Sequence, residues 1–502
     1  MSATTPLGPL DSPASLRANE ESALSVGQNL AHRIEALRSL DEFSAPILDD
    51  FKLFLEQAPD EELFRMSPLR YAAAHHLPEQ VAIDLFLHAT HKGILEFAWG
   101  VLCVGCMGFL TTPGGLRWFQ KRHCNFCNID TEETMDDRVE VAFSVAPSVR
   151  RIRFHAPELL DLRQDAIRLY FSSSLAQDSR AHRVFENSIL LAERLSPGQV
   201  REIDLRLEEG DTVLLAPVSH AAVYFHAKQQ YPSESSTTIE LFDGRAIPDS
   251  VDLSAGPAKI RLINRTSAPL GFILSPITID VWPQPAKPGE PLTHQFTPYL
   301  TGSRLVCSQT FRDLFRSESI PSEGGLELKG VTILFTDLKG STALYERVGD
   351  LRAYDLVRKH FALLRGIAAS CGGAIVKTIG DAIMASFDDP LSAVRAAIQM
   401  HRDIEELSPE PGELMLKIGV HTGPCIAVDF NDRLDYFGRT VNIAARVQGV
   451  AEAGEIVCTE PVYQAAGVRE LVLAELLAAN QAHVSLKGIA GDVPVIRLAK
   501  KP

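Results

Sequence analysis

The segment TILFTDLKGST at residues 332–342 decides the fold of the C-terminal part of the chain. Its β-branched and apolar residues predict a buried strand that ends at Asp337. Further along, AIVKTIGDAIMASF at 374–387 predicts two strands joined by a tight turn, and Asp381 follows that turn. Two aspartates at neighbouring strand ends have the carboxylate oxygens needed to bind two Mg²⁺ ions around a nucleoside triphosphate.

The residues after Asp337 are predicted to open a helix, where free backbone N–H groups and the helix dipole favour bound phosphates. The predicted phosphate contacts are Leu338, Gly340, Ser341 and Thr342. From about residue 327 onward, strand-like and helix-like runs alternate. We therefore expect a C-terminal α+β domain, a ferredoxin-like or palm-like βααββαβ sandwich.

A third segment, LDYFGRTVNIAAR at 434–446, adds polar side chains at helical spacing. Asn442 and Arg446 are four residues apart and therefore share one face of the predicted helix. Together the three segments resemble the class III nucleotidyl cyclase family, over about residues 327–500. The resemblance implies that Asp337 and Asp381 bind the catalytic metal ions.

The resemblance also implies a role for each remaining polar position. Lys377 and Asp435 match the residues that select adenine, Asn442 matches the asparagine that orients the ribose, and Arg446 matches the arginine that stabilises the transition state. Lys487 matches, more loosely, a lysine that contacts the phosphates. The chemistry of the selecting pair agrees, because lysine donates to adenine N1 and aspartate accepts from the N6 amino group. Guanine presents the opposite pattern, so the pair favours ATP over GTP.

Lys377 and Asp381 lie on opposite sides of one hairpin turn, so both are not expected to reach one ligand within a monomer. The resemblance implies a head-to-tail homodimer whose subunits share each site. The expected activity is that of an adenylate cyclase, which converts ATP to 3′,5′-cyclic AMP and pyrophosphate with two Mg²⁺ or Mn²⁺ ions. One alternative is a catalytically weak nucleotide-binding signalling module. The other is a guanylate cyclase, which Lys377 and Asp435 disfavour.

Four of the eight cysteines form two CxxC pairs in the N-terminal half. They are Cys103, Cys106, Cys124 and Cys127. Their spacing predicts a zinc ribbon over 101–135 with a structural Zn²⁺, and unrelated core cysteines are the alternative. This segment resembles an N-terminal domain found ahead of bacterial cyclase domains. Nearby histidines at 75, 76, 88 and 91 are expected to be packed or surface residues rather than metal ligands.

The remaining segments are predicted from composition and periodicity. Residues 1–25 are expected to form a disordered tail, and 26–100 a helical segment, either winged-helix-like or a small bundle. Seven β-like runs within 136–300 predict a regulatory β-sandwich. Residues 301–326 are expected to form a linker helix and a hinge, and 327–502 the catalytic domain.

The composition limits the kinds of partner that the 502-residue chain can have. Its net charge of −15 argues against nucleic acid, which requires a basic surface. No signal peptide is evident, and the longest apolar run, 97–110, is too short to span a membrane. We therefore expect a cytoplasmic protein without a membrane span. Its expected partners are ATP, a second copy of the chain, and an unidentified regulatory ligand or protein.

Overall fold

The structure is a computed structural model, and it describes the greater part of the chain. The described residues are 29–103, 107–111, 123–124, 129–130, 138–174, 186–229, 235–277, 297–315, 326–339, 349–407, 414–429, 433–489 and 491–500. The predicted tail at 1–25 lies outside these ranges, as do residues 316–325 of the predicted linker helix and hinge at 301–326. Within these ranges, no helix combines the length and the apolar character that crossing a membrane requires.

The helices before the catalytic domain are short. They span Ala45–Gln57, Pro68–Ala74, Glu79–His91, Leu162–Tyr170, Gly302–Val306 and Gln309–Leu314, with 3₁₀ turns at Arg153–His155 and Pro157–Leu159, and residues 29–38 are also helical. The strands of the same region are β1 Leu95–Leu102, β2 Phe109–Thr111, β3 His123–Cys124, β4 Ile129–Asp130, β5 Val139–Val145, β6 Leu191–Leu195, β7 Val200–Leu207, β8 Gly210–Ala216, β9 Ala221–Lys228, β10 Ser235–Phe242, β11 Arg245–Ile247, β12 Ser250–Ser254, β13 Gly256–Asn264 and β14 Leu270–Pro276.

The N-terminal helices pack on a small sheet with the strand order β2-β1-β5. The sequence predicts helix up to residue 100, but the structure has β1 at Leu95–Leu102. The β5 segment, predicted to belong to the sandwich, pairs antiparallel with β1 along its whole length. The pairing of β1 with β5 decides the structure of both segments, because a short apolar run can form either a strand or a buried helix.

The central region is the β-rich part that the sequence predicts. Two sheets, ordered β11-β10-β13-β7 and β12-β9-β8-β14-β6, enclose an apolar core. In β7, the side chains of Ile203 and Leu207 are buried and that of Leu205 packs against the same core, as the period-two pattern predicts.

Two short helices connect this region to the catalytic domain where the sequence predicts one. Ser308 separates them in an extended conformation, and its side chain accepts a hydrogen bond from the backbone N–H of Phe311. Serine favours this capping position, so the chain starts a new helix at Gln309 instead of extending the first. We call residues 301–315 the connecting segment.

Asp84 lies where helix Glu79–His91 meets the connecting segment, and Thr310 and Gln80 hydrogen-bond to it. Burial raises the pKa of Asp84 to about 6. Because the folded protein binds this proton more tightly than the unfolded chain, ionisation of Asp84 destabilises the fold as pH rises through 6.

We therefore expect Asp84→Asn to raise the melting temperature at pH 8. The gain, up to about 3 kcal/mol, should vanish as pH falls from 6 towards 4. Thermal unfolding over pH 4–8 measures this effect, with Asp355→Asn as the control that gains nothing at pH 8, because Lys359 and Arg358 lower the pKa of the half-buried Asp355. A gain that is equal at every pH would contradict the assignment to Asp84 ionisation.

The catalytic domain is built around one large, mostly antiparallel sheet ordered β16-β17-β15-β18-β20-β22-β21, with β19 paired to β18. Its strands are β15 Leu326–Leu338, β16 Ala374–Ile379, β17 Ala382–Phe387, β18 Leu416–Asp429, β19 Leu434–Phe437, β20 Glu455–Thr459, β21 Leu477–Ser485 and β22 Asp492–Lys500. Its helices are Asp350–Ser370, Pro390–Leu407, Arg439–Gly449, Glu460–Tyr463 and Val468–Ala474. The predicted α+β class is therefore confirmed.

Two features of this sheet differ from the prediction. The sequence predicts two strands, at 414–423 and 425–430, whereas the structure has the single strand β18 at Leu416–Asp429, which contains Pro424. The neighbouring strand β15 has a bulge between Leu328 and Val331, opposite this proline, which accommodates its missing N–H group. The second difference is strand β21, Leu477–Ser485, which is not among the strands predicted from the sequence. It is rich in alanine, asparagine and glutamine, which disfavour strands in isolation.

Each face of the sheet belongs to a different apolar core. Helices Asp350–Ser370 and Pro390–Leu407 cover one face. The core on the other face includes Phe335, Met384 and Tyr436 and continues into the connecting segment and the N-terminal helices. The catalytic sheet and the N-terminal region therefore share one continuous core, to which the connecting segment contributes Leu305, Val306, Cys307 and Phe311.

Candidate active site

The two predicted metal-binding aspartates lie close together. Asp337 is the last residue but one of β15, and Asp381 lies in the turn between β16 and β17. Gly380 makes this turn possible, because its φ of 64° is strained for residues with a side chain. Burial raises the pKa of Asp337, and the negative charge of Asp381 raises it further. The two carboxylates therefore repel each other across the end of the sheet.

The carboxylates fit a divalent cation. The Oδ2 atom of Asp381 is buried and has no hydrogen-bond partner among the described residues. A buried carboxylate oxygen without a partner is costly, and a hard cation such as Mg²⁺ or Mn²⁺ would offset both this cost and the repulsion from Asp337. No group of three metal-ligating side chains occurs in the described ranges, so substrate phosphates and water would have to complete the coordination.

The predicted base-selecting residues meet directly. Lys377 Nζ and Asp435 Oδ2 are 2.6 Å apart, although 58 positions separate them in the sequence. The other oxygen of Asp435 accepts the backbone N–H of Tyr436 at 2.8 Å. The two side chains are 41% and 19% exposed, so the pair is fixed in place yet open to a ligand.

A bulge in the hairpin places Lys377 on the required side of the sheet. The pairing between β16 and β17 shifts between Ile375 and Lys377, so that Ile375 pairs with Ala385 and Lys377 with Met384. Ala385 belongs to the core beneath the helices, whereas Met384 belongs to the core of the opposite face. Without the extra residue, Lys377 would lie on the same face as Ile375.

Asn442 and Arg446 lie on helix Arg439–Gly449, which we call the site helix. Both side chains are exposed, while Ile443 and Val447 bury the opposite face of the helix. The helix packs tightly on β18 at Gly419, where an added Cβ would come 2.1 Å from the backbone nitrogen of Gln448. The sequence predicts this shared face, and the exposure leaves both side chains available to a second subunit.

The remaining predicted residues are distributed as follows. Lys487 is exposed in the turn after β21, and the Leu338 side chain is buried, so that only its backbone could contact a phosphate. Gly340, Ser341 and Thr342 lie outside the described residues.

The zinc site stays a prediction. Cys103 and Cys124 are buried, whereas Cys106 and Cys127 lie outside the described residues. Metal analysis of the purified protein would test the zinc site.

No hydrogen bond or ion pair between described residues joins the aspartates to Lys377 or Asp435. The roles of all these residues stay predictions.

The structure adds two features that the sequence alone does not single out. His360, on helix Asp350–Ser370, is 1% exposed and close to Asp381. Burial lowers its pKa and so favours the neutral imidazole. Lys377 also borders a cleft of about 360 Å³, lined by Phe361, Val376 and Leu434 among others. The sequence pattern of an amphipathic helix does not reveal that one of its histidines lies close to an aspartate on another element. The cleft cannot be predicted from the sequence either, because it depends on the position of the connecting segment.

The sheet, the strand-end carboxylates and the site helix define the catalytic domain of a nucleotidyl cyclase. Residues 326–492 match the model of the adenylate and guanylate cyclase catalytic domain. The family model of DUF5939, a family of unknown function, matches residues 29–313, which is more than half of this chain. The chain therefore belongs to that family. This one model extends across the segments predicted above as helical, zinc-binding and β-sandwich.

Several curated proteins are similar to about a quarter to a third of the chain. An adenylate cyclase of Anabaena cylindrica is 31% identical over 144 residues, which cover 26% of this chain and 29% of that protein. A receptor-type adenylate cyclase of Trypanosoma equiperdum is 28% identical over 211 residues, covering 34% and 44%. An adenylate cyclase of Mycosarcoma maydis is 32% identical over 154 residues, covering 26% and 6%. The chain therefore spans less than half the length of these relatives.

Solved structures align with about a third of the chain. The adenylyl cyclase CyaB from P. aeruginosa is 26% identical, with a TM-score of 0.30, and the alignment covers 35% of this chain and 95% of that one. An adenylate cyclase from Trypanosoma brucei in its monomeric state is 27% identical, with a TM-score of 0.29, and the alignment covers 36% and 93%.

Proposed function

We propose that this protein is an adenylate cyclase that converts ATP to 3′,5′-cyclic AMP and pyrophosphate. The observation that carries the proposal is the ion pair between Lys377 Nζ and Asp435 Oδ2. It holds a donor and an acceptor side by side, which is the pattern that adenine N1 and N6 require. A guanine base would leave both groups mismatched, and a mismatch of this kind in a binding site is strongly unfavourable.

In the proposed reaction, the ribose 3′-oxygen attacks the α-phosphorus and pyrophosphate leaves. Asp337 and Asp381 would hold Mg²⁺ or Mn²⁺, which when bound supplies charge neutralisation and activation of the attacking hydroxyl. Asn442 would orient the ribose. Arg446 would stabilise the charge that develops on the α-phosphoryl oxygens, as fixed cations do in other phosphoryl transfers. Lys487 would contact the phosphates.

We propose that two copies of the chain form each site. The aspartates occupy one end of the sheet, whereas Asn442 and Arg446 extend into solvent from the site helix. A head-to-tail dimer would bring the aspartates of one subunit to the base-selecting pair and the site helix of the other. The continuous core between the catalytic sheet and the N-terminal region supports a further proposal, that the N-terminal region regulates how the two catalytic domains meet.

Purified protein incubated with ATP and Mn²⁺ tests the proposed activity. We expect cyclic AMP and pyrophosphate in equal amounts, and much less cyclic GMP from GTP under the same conditions. An established cyclase assayed in parallel provides the positive control. If the protein forms neither cyclic nucleotide, the chain is not a cyclase under these conditions, and if GTP is preferred, the assignment of the base-selecting pair is wrong.

Lys377→Gln is expected to weaken the preference for ATP. The substitution removes the charge that pairs with Asp435, and the glutamine amide can present either a donor or an acceptor to the base. We expect the ratio of kcat/KM for ATP to that for GTP to fall about tenfold or more. The control is Lys500→Gln, at an exposed lysine that pairs with Glu405. Lys417→Gln is unsuitable as a control because Lys417 lies opposite Asp337 on the neighbouring strand. An unchanged ratio would remove Lys377 from base selection.

A further inference from the structure

The connecting segment contacts both strands that carry the base-selecting pair. Gln309 Oε1 accepts the backbone N–H of Ile375 at 2.8 Å, two residues before Lys377. Arg312 Nη1 donates to the backbone carbonyl of Leu434 at 2.7 Å, immediately before Asp435. The two strands are joined to different neighbours in the sheet, β16 to β17 and β19 to β18. The connecting segment therefore bridges them independently of the sheet.

Arg312 holds the chain on both sides of Asp435. Its guanidinium carbon lies 5.2 Å from the centroid of the Tyr436 ring, while Nη1 binds Leu434 on the other side. Tyr436 in turn donates its backbone N–H to Asp435. Arg312 is itself anchored, because Nε donates to the carbonyl of Val306 at 2.8 Å.

The packing around these contacts is tight. The Tyr436 ring is buried, and its hydroxyl lies 3.6 Å from Cys307 Sγ and 3.5 Å from the carbonyl of Val306. Phe311 is buried beside it in the same core. A rigid enclosure of this kind limits the positions that the Asp435 carboxylate can take relative to Lys377. Base selection depends on such preorganisation, since a loose pair can adapt to either purine.

We propose that Arg312 is a positioning residue for base selection, which makes helix Gln309–Leu314, the second helix of the connecting segment, part of the substrate-selecting apparatus. This inference rests on the proposed adenylate cyclase function. Arg312 acts through the backbone of Leu434 and the ring of Tyr436 rather than by touching the reacting atoms. Any rearrangement of the N-terminal region that displaces the connecting segment would change the affinity and the selectivity for the base.

The test compares Arg312→Ala, Arg312→Lys and a matched control, Arg304→Ala. Arg304 lies in the same segment and makes an ion pair with Glu79 at 2.8 Å. For Arg312→Ala we expect the KM for ATP to rise about tenfold and the preference for ATP over GTP to fall by a similar factor. Arg312→Lys keeps the charge and one donor, so it should restore part of the selectivity. Arg304→Ala should leave both quantities unchanged.

A second measurement does not depend on turnover. Acetylation of Lys377, followed by mass spectrometry and normalised to the exposed Lys500, reports how firmly the lysine is held by Asp435. We expect faster modification of Lys377 in Arg312→Ala than in the unsubstituted protein or in Arg304→Ala. Equal modification rates, or a variant that loses only total activity while KM and base preference stay unchanged, would overturn the inference.

The inference and the proposed function fail in different ways. If the unsubstituted protein forms no cyclic AMP, the proposed function is wrong and Arg312 has no base selection to serve, whatever the acetylation rates. If the unsubstituted protein prefers ATP but Arg312→Ala does too, with the same KM, only the inference is wrong. Thermal unfolding of each variant identifies any change that results from a smaller folded fraction.

Discussion

Asp337→Asn is expected to lower cyclic AMP formation by about 10³-fold, or about 4 kcal/mol of activation free energy. The substitution keeps the size of the side chain but removes a charged metal ligand at the end of β15. Burial and the charge of Asp381 already raise the pKa of Asp337, so removing its charge should not destabilise the metal-free protein. Loss of activity without loss of stability is the expected combination, measured by cyclic AMP formation and thermal unfolding.

The exposed Asp492→Asn, at the start of β22 in the same domain, is the matched control and should keep full activity. Titration with Mn²⁺ separates the possible causes, because a lost metal ligand raises the Mn²⁺ concentration needed for activity. A fully active Asp337→Asn protein would exclude Asp337 as a ligand. A variant that is inactive because it unfolds would show a lowered melting temperature, contrary to the argument from its pKa.

Arg446→Ala is expected to lower activity by about 10²- to 10³-fold, because a fixed cation that stabilises transition-state charge is worth that much in related reactions. The side chain is exposed on the site helix, so its removal should leave the fold intact. KM for ATP should change much less than kcat, since the interaction is made mainly in the transition state. The exposed Arg402→Ala, whose partner is Glu475, is the control.

Mixing the two inactive variants tests whether subunits share the site. In an equimolar mixture of Asp337→Asn and Arg446→Ala, half of the dimers should be mixed, and each mixed dimer has one intact site. About one quarter of the original activity should therefore return. Mixing Asp337→Asn with Asp381→Asn is the matched control, because both changes affect the same half of the site and no intact site can form. Equal activity in the two mixtures would rule out sharing.

Local periodicity was sufficient to place four residues of the candidate site on their secondary-structure elements, whereas their roles are implied by the family resemblance. A strand that ends in an aspartate, a Gly-Asp turn and an i,i+4 pair on a helix each depend on a few neighbouring residues, so Asp337, Asp381, Asn442 and Arg446 could be placed on their elements from sequence alone. The class of the catalytic domain followed from the order of these elements. The separation of the connecting segment into two helices did not, because it depends on how Ser308 caps the second.

The meeting of Lys377 with Asp435 was decided only by the tertiary structure. Without the one-residue bulge before Lys377, its side chain would lie on the opposite face of the sheet, and β19 must also pair with β18 to bring Asp435 to it. The pairing of β5 with β1 and the position of Arg312 were decided in the same way. Residue spacing determines which face of an element carries a side chain, whereas strand register and packing depend on contacts distant in sequence, whose energies no local pattern records.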